Sequence, residues 1–362
     1  MKKFLVFAIT LYGCIFLAGC GLFNREFVSI EDYVYPTSNP EEESTSSYTA
    51  SNEIDLKNAL VSLVDSGETE GQIVISDSYS GNIQEDMDNA IWQVKSQDAL
   101  CAYCVKNVSY EVVTVVTYNE IDVQISYSDI GIPLEDIHKL QYSTDLSDII
   151  ETSINNSDKK LVILVNKSSY SSTDMENLIQ TTYESNPIIC PVKPEASVNL
   201  FSGKNSQRLY EIEFDYKLDD QTLEEQKEQL NNITLFTEEE MNENEYDKTL
   251  TVIARMQSVE QGNGNTVYDA LVLNSANSHG KALGFVALCR EIGLEARIVY
   301  GQRDWEDCCW NIVKVDGNYY HVYVDTEEEQ PLKTDEQMWG TFRWNTGDYP
   351  TCEVAYLVDE GQ

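Results

Sequence analysis

The chain has 362 residues, 24 Lys and Arg against 62 Asp and Glu, and a formal net charge of −38. A surface this acidic excludes a general nucleic-acid binder, which needs clustered cations, and docking on anionic lipid through a basic patch. A hydrophobic share of 42% with 10% aromatics provides for packed cores and argues against disorder, and the length predicts about two domains.

The first twenty residues, MKKFLVFAITLYGCIFLAGC, read as a secretory signal. Lys2 and Lys3 form its charged region, and Phe4 to Leu17 is an apolar run too short to span a bilayer comfortably. Leu17-Ala18-Gly19-Cys20 resembles a bacterial lipobox, which implies that Cys20 becomes the first mature residue and carries acyl chains such as palmitate. The other reading is an ordinary cleaved signal with a chance cysteine. We expect an extracytoplasmic lipoprotein at the cell surface, held to the bacterial cell membrane through its N-terminal lipid. Loss of residues 1–19 removes two lysines and no acid, taking the charge from −38 to −40. Asn39 to Asn52, with Pro40, Glu41-Glu42-Glu43 and many serines, has the composition of a disordered tether, placed at 21–55.

From 56 to 218 the hydrophobic period alternates between helix and strand. Leu56, Leu60, Leu63 and Val64 predict a helix, and Gly71–Ser76 a strand. Ile83, Met87, Ala90, Ile91 and Val94 predict a second helix. Ser109–Tyr118 and Ile121–Tyr127 read as strands joined by a turn at Asn119-Glu120. The all-apolar Leu161–Val165 predicts a central strand, and Arg208–Tyr216 an edge strand. The sum is an α/β accessory domain that could be two related halves, followed by a helical linker at 219–244. Cys101-Ala-Tyr-Cys104 invites a redox reading, but a helical pattern precedes it and a strand follows, the reverse of the redox context. It reads as a structural disulfide or two packed thiols; no zinc set accompanies it.

The last 120 or so residues carry the chemistry. Ser278 reads as an N-cap, with Ala282, Phe285, Val286 and Cys289 at helical spacing and Gly293 closing the helix. Leu294–Tyr300 alternates as a strand, and Cys309–Val315, Asp316-Gly317 and Tyr319–Asp325 read as a hairpin. A helix packed on an antiparallel sheet, after an α/β domain, places the chain in the α+β class.

ALVLNSANSHGKALGFVALCREIGLEARIVYG, CCWNIVKVDGNYYHVYVD and RWNTGDYP resemble the transglutaminase-like core, a papain-related fold, over 245–362. The family pattern is a nucleophilic Cys followed by Gly-aromatic-Ala and the helix, then His-Ala-Trp-Asn, then a strand ending in Asp. Gly280, Ala282, Gly293, Gly301, Trp310-Asn311 and Asp316-Gly317 fit it. The resemblance puts Ser278 in the slot of the nucleophile, Cys308 in that of the general base and Tyr323 in that of the orienting carboxylate. The family's chemistry needs a thiolate at a helix N-terminus, an imidazole to move the proton and a carboxylate to hold it. With all three replaced, the resemblance implies a degenerate domain.

Substitutes are few. Asp325 and His321 lie two residues to either side of Tyr323, so on a continuous strand all three share a face at steps of about 6.6 Å. A rearranged Cys308–His321–Asp325 site is therefore conceivable, although His321 reads as structural. Of the other two histidines, His279 points about 100° away from Ser278 on the helix, and His138 lies in the accessory domain. Cys308 or Cys309 could bond Cys352, and seven cysteines beyond Cys14 and Cys20 leave at least one free or intermolecular. Trp305 and Trp310 could line a remnant cleft or pack in the core. No cofactor or metal motif is present; the acidic run Asp325–Glu329 lacks the spaced oxygens of a calcium loop. Two functions follow as expectations. The first is a non-enzymatic binding or scaffold module for a peptide or cell-wall ligand. The alternative is an acyl-transfer enzyme or cysteine protease working through displaced residues.

Overall fold

The computed structural model describes residues 47–116, 118–325 and 330–357. The signal sequence, the lipobox with Cys20 and most of the tether lie outside the described residues.

The first unit runs β1 (Ser47–Ala50), α1 (Glu53–Asp65), β2 (Glu70–Ile75), α2 (Ile83–Gln97), α3 (Ala99–Cys104), β3 (Val105–Val115) and β4 (Tyr118–Tyr127). Its sheet has the order β1-β2-β4-β3, with β1 parallel to β2 and the remaining pairs antiparallel. The second unit runs β5 (His138–Tyr142), α4 (Leu146–Asn155), β6 (Lys160–Lys167), α5 (Ser172–Ser185), β7 (Glu195–Ser202) and β8 (Arg208–Asp215). Its order is β5-β6-β8-β7, again with one parallel pair followed by two antiparallel ones. The accessory region is thus the same β-α-β-α-β-β unit used twice. Side-chain caps start most of the helices: Asn52, Asn82 and Ser171 each accept from backbone N–H groups of the first turn. The two units join through α3. Tyr103 donates to Glu211 of β8, and its ring meets Phe201 of β7 edge-on.

Several boundaries differ from the sequence reading. The tether ends earlier than residue 55, because Ser47–Ala50 pairs with β2 and Asn52 already caps α1. The β3–β4 turn includes Val116, at φ 46°, and does not fall at Asn119-Glu120, which lies within β4. Asn119 stays extended because it pairs with Thr114, whose hydroxyl donates to it, and Glu120 accepts from Gln72 of β2. β6 is central as expected, but β8 lies between β6 and β7 and is no edge; the edge beside it is β7, whose half-polar pattern hid it. Cys101 and Cys104 are two fully buried free thiols in a short helix before β3.

The C-terminal unit follows through α6 (Asp220–Asn231), α7 (Glu238–Met241) and α8 (Glu245–Gln257). Next come β9 (Glu260–Gln261), α9 (Val267–Leu271), β10 (Ser275–Ala276) and α10 (Ser278–Glu291). The sheet is β11 (Ala296–Arg303), β12 (Glu306–Val315), β13 (Asn318–Val322) and β14 (Phe342–Trp344), with α11 (Asp335–Met338) before the last strand. Its order is β13-β12-β11-β14, all antiparallel. Asp316 and Gly317, at φ 48° and 84°, make the two-residue turn between β12 and β13 that the sequence announced. Gly293 at φ 83° ends α10.

Helix α10 is buried without a break from Gly280 to Cys289. It packs on α8 and α9, on β11 and β12, and on α5 of the second repeat. Leu283 and Ala287 share a core with Leu161, Tyr183 and Ile212, so the apolar interior runs on from the second repeat into the C-terminal unit. The described residues form one compact unit. A second close approach lies in the sheet, where a Cβ on Gly301 would sit 2.3 Å from the Arg343 carbonyl and 2.5 Å from the Trp310 ring. Gly301→Ala is expected to cost about 1–3 kcal/mol of overpacking strain. Urea unfolding of the variant measures it; unchanged stability would mean that β14 can move away freely.

Candidate active-site remnant

The replaced triad is assembled in space. Asn277, not Ser278, is the N-cap of α10: its side chain accepts from the His279 and Gly280 amides, at 3.0 Å each. That leaves the Ser278 hydroxyl free to turn to the sheet, where it accepts from the Cys309 amide at 3.2 Å. The Cys308 thiol, on β12, lies beside Ser278 and Tyr323 and donates to the Cys309 carbonyl at 3.5 Å. The Ser–Cys–Tyr group therefore keeps the neighbour order that the family pattern gives to Cys, His and Asp. It lacks a group with the proton affinity to serve as base near neutral pH.

The electrostatics oppose an ionised nucleophile. Burial raises the Cys308 pKa above the usual thiol value and outweighs the influence of Ser278 and Tyr323, which favours the thiolate. The neighbouring Cys309 is pushed up to about 12 by burial first and then by the charges of Cys308 and Glu184. Tyr323 is raised to about 12, chiefly by burial, although Arg303 donates to its hydroxyl at 2.9 Å and stacks over its ring. β13 stops at Val322, so Tyr323 and Asp325 leave the strand, and Asp325 lies in a turn. There the Lys281 ammonium, 5% exposed, donates to it at 2.6 Å. Lys281 occupies the family's aromatic position. Its carboxylate partner is committed, because breaking a buried ion pair strands a charge at about 3–5 kcal/mol.

The displaced triad does not form. His321 is fully buried, with Nδ1 at 2.9 Å from the Trp310 indole and Nε2 at 2.8 Å from Asp335. An indole N–H can only donate, so Nδ1 accepts, Nε2 carries the proton, and Asp335 receives it. Asp335 also accepts from the Cys352 amide at 3.1 Å. Ligand atoms of His321, Asp335 and Cys352 lie within 4.8 Å of one another. They suit a metal poorly, because the Nε2 lone pair a metal would need is already the site of the proton. His321 thus ties the C-terminal segment to the sheet and does not face Cys308. Trp310, 2% exposed, fills the core beside it and lines no cleft, because its ring packs on Phe342 and Trp344. Trp305 stands exposed at the β11–β12 turn under the Arg343 guanidinium. Cys352 is buried in the same cluster and donates to the Pro350 carbonyl, away from Cys308 and Cys309; the seven described cysteines are free thiols. His138 is exposed on β5.

Residues without a sequence signal also matter. His279 Nδ1 meets the Asn265 carbonyl at 2.9 Å, and its Nε2 lies 3.2 Å from the Tyr300 hydroxyl, which donates to Glu184 of α5 at 2.5 Å. This chain borders a cleft of about 790 Å³ between α5 and β11. Only the tertiary fold brings Glu184 and Tyr300 together. Lys281 alone had a readable cue, a cation in an aromatic slot.

Burial holds the His321 pKa below its ordinary value, against the raising influence of Asp335. Below about pH 6.5 the unfolded chain then binds a proton that the folded one refuses, so stability present above that pH falls as pH drops. Denaturation at pH 7.5 and 5.5 should show a smaller loss for His321→Asn than for the parent chain. Equal losses would place the pH sensitivity elsewhere.

Comparison with known proteins agrees with the fold. Residues 218–327 match the Transglutaminase-like superfamily, a stretch that includes α6, α7 and α8 as well as the remnant site. Among solved structures, a TGase is similar at 11% identity over 77% of this chain and 80% of its own, with a TM-score of 0.22. A protein assigned as a cysteine protease, from Cytophaga hutchinsonii, is similar at 14% identity over 38% of this chain and 65% of its own, again at 0.22. Both likenesses are too loose to transfer an activity. No curated protein matches the chain. The match thus falls on the C-terminal unit, with its capped central helix and antiparallel sheet, and it is this part of the chain that resembles the transglutaminase-like superfamily.

Proposed function

We propose that this protein is a membrane-anchored extracytoplasmic lipoprotein whose transglutaminase-like domain no longer transfers acyl groups and serves as a binding or scaffold module for a peptide or cell-wall ligand. The observation that carries the reading is the clustering of Ser278, Cys308 and Tyr323 in the three catalytic slots, where burial raises the thiol. Triads act as units, so losing every member removes the proton shuttle as well as the nucleophile. The alternative enzyme would need His321 or Asp325 as substitutes, and their hydrogen bonds to Trp310, Asp335 and Lys281 weigh against it. The anchor rests on the Lys2-Lys3, apolar-run and Cys20 pattern alone. Among the described residues, no helix is long and apolar enough to cross a membrane.

Two measurements test the reading. The full-length protein should hydrolyse p-nitrophenyl acetate no faster than its Ser278→Ala and Cys308→Ala variants; a clear loss in either would establish a working nucleophile. Expressed in a bacterium fed labelled palmitate, it should take up label and stay with the membrane, and Cys20→Ala should abolish both. Label retained in Cys20→Ala would remove the anchor.

A further inference from the structure

Five charged side chains line the cleft between α5 and β11, and three of them are already engaged. Arg290 pairs with Glu151 at 3.3 Å, and Arg297 with Glu295 at 3.2 Å. Glu295 also accepts from the Tyr319 hydroxyl and lies 3.6 Å from Lys314. The two that remain are both carboxylates, Glu184 of α5 and Asp348 beyond β14. Among the described residues, neither makes an ion pair. Lys193, exposed before β7, acts on His279 but pairs with neither. Tyr349 stands near both acids: its phenol is raised by burial first and, in the same direction, by the charges of Asp348 and Glu184.

Counting protons shows what this wall lacks. A carbonyl can only accept, so His279 Nδ1 carries the ring proton toward Asn265, and Nε2 is bare in the neutral ring. Burial holds the His279 pKa below its ordinary value, which keeps the ring neutral near pH 7. Tyr300 has one hydroxyl proton, and Glu184 receives it at 2.5 Å. His279 Nε2 and the Tyr300 oxygen therefore face each other at 3.2 Å with lone pairs and no proton between them. Glu184 Oε1 accepts from Tyr300 and, at 2.8 Å, from Gln180; Asp348 Oδ2 accepts from Asn345 at 2.7 Å. Among the described residues, no donor reaches Glu184 Oε2 or Asp348 Oδ1. The cleft is short of donors and of positive charge.

We propose that this cleft binds a primary ammonium, borne by a lysine-like side chain of a peptide, on Glu184 and Asp348 beside the rings of Tyr300 and Tyr349. An ammonium brings three N–H donors and a charge to a set of unmet acceptors, and the tyrosine rings add cation–π attraction. A guanidinium suits the site less, because its fork needs both oxygens of one carboxylate and Glu184 Oε1 already has two donors. The volume, about 790 Å³, lies in the usual range for ligand sites. Glu184, Asp348 and Tyr349 fall outside residues 218–327, so the site is built mostly from parts of this chain beyond the matched core. The ammonium is held there, and no acyl group passes to it. The proposal rests on the binding reading above and seats the ligand in the α5–β11 cleft, apart from the remnant triad.

The test uses full-length protein and the amidated peptide Gly-Ser-Lys-Ser-Gly, its N-terminus blocked by an uncharged BODIPY dye so that lysine is the one charge. Two controls replace the lysine by norleucine or by arginine. Fluorescence polarisation should show saturable binding of the lysine peptide, about tenfold or more weaker for norleucine and weaker by about threefold for arginine. Glu184→Gln keeps an acceptor oxygen for Tyr300 and Gln180, so its thermal melt should match the parent while binding falls about tenfold. Asp348→Asn, at an exposed position, should weaken binding about threefold. No saturable binding at about 1 mM, equal binding of the norleucine peptide, or unchanged binding in both variants would each overturn the site. Arginine binding as tightly as lysine would overturn the ammonium assignment. Retention on purified peptidoglycan, measured alongside, decides the binding reading separately: retention without lysine-peptide binding sinks this proposal alone, and absence of both sinks the two together.

Discussion

The C-terminal unit is organised by the complete burial of α10. An ordinary surface helix hides one stripe, but this one is closed on every side from Gly280 to Cys289. Each polar group it carries must therefore find a partner inside. Lys281 finds Asp325, and the Ala282 carbonyl accepts from the Asn311 side chain of β12. Ser278, at the first turn, meets the Cys309 amide. These contacts fix the helix N-terminus against β12 and so hold the remnant triad together, whether or not it reacts. Gly284, with Met256 and Ala270 pressed close, lets α8 and α9 approach. The same helix also contacts α5, so the second repeat is part of the frame that sets the site.

The three slots stay neighbours although none holds the residue type the family pattern puts there. Ser278, Cys308 and Tyr323 are neighbours, and each is engaged by another group: Ser278 by the Cys309 amide, Cys308 by the Cys309 carbonyl and Tyr323 by Arg303. A serine, a raised thiol and a raised phenol cannot pass a proton as an imidazole does. The one imidazole on β13 serves another purpose. Trp310, His321 and Asp335 form a directed chain in which the indole dictates the tautomer, and through the Cys352 amide that chain pins the final segment. The polar interior is thus divided between a remnant site near α10 and a structural tie behind the sheet.

Much of this was legible in the sequence, and the losses have physical causes. Strong signals were local: the Asp316-Gly317 turn, Gly293 after the helix, and the apolar run of β6 all stand where their chemistry put them. The repeat was visible only as a matching rhythm of helix and strand; its identical sheet order needed the pairing itself. β7 was missed because an edge strand with alternate polar residues has little apolar signal. The cap of α10 was misplaced by one residue because asparagine and serine cap equally well, and only the Cys309 amide shows which hydroxyl is engaged elsewhere. The slots of the triad could be counted along the chain. The partners that occupy Asp325 and His321 could not, since Lys281 lies 44 residues from the first and Asp335 14 from the second.

The central claim, that the remnant triad holds no activated nucleophile, is open to a direct measurement. The full-length protein is treated with iodoacetamide at steps from pH 5 to 9, and each cysteine is followed by peptide mass spectrometry. The account predicts slow labelling of Cys308 and Cys309 across the whole range, still slow where the medium passes the ordinary thiol value of about 8.5. Rapid labelling of either one at pH 6 would reveal a depressed pKa, contradict the account and put an active thiol enzyme in its place.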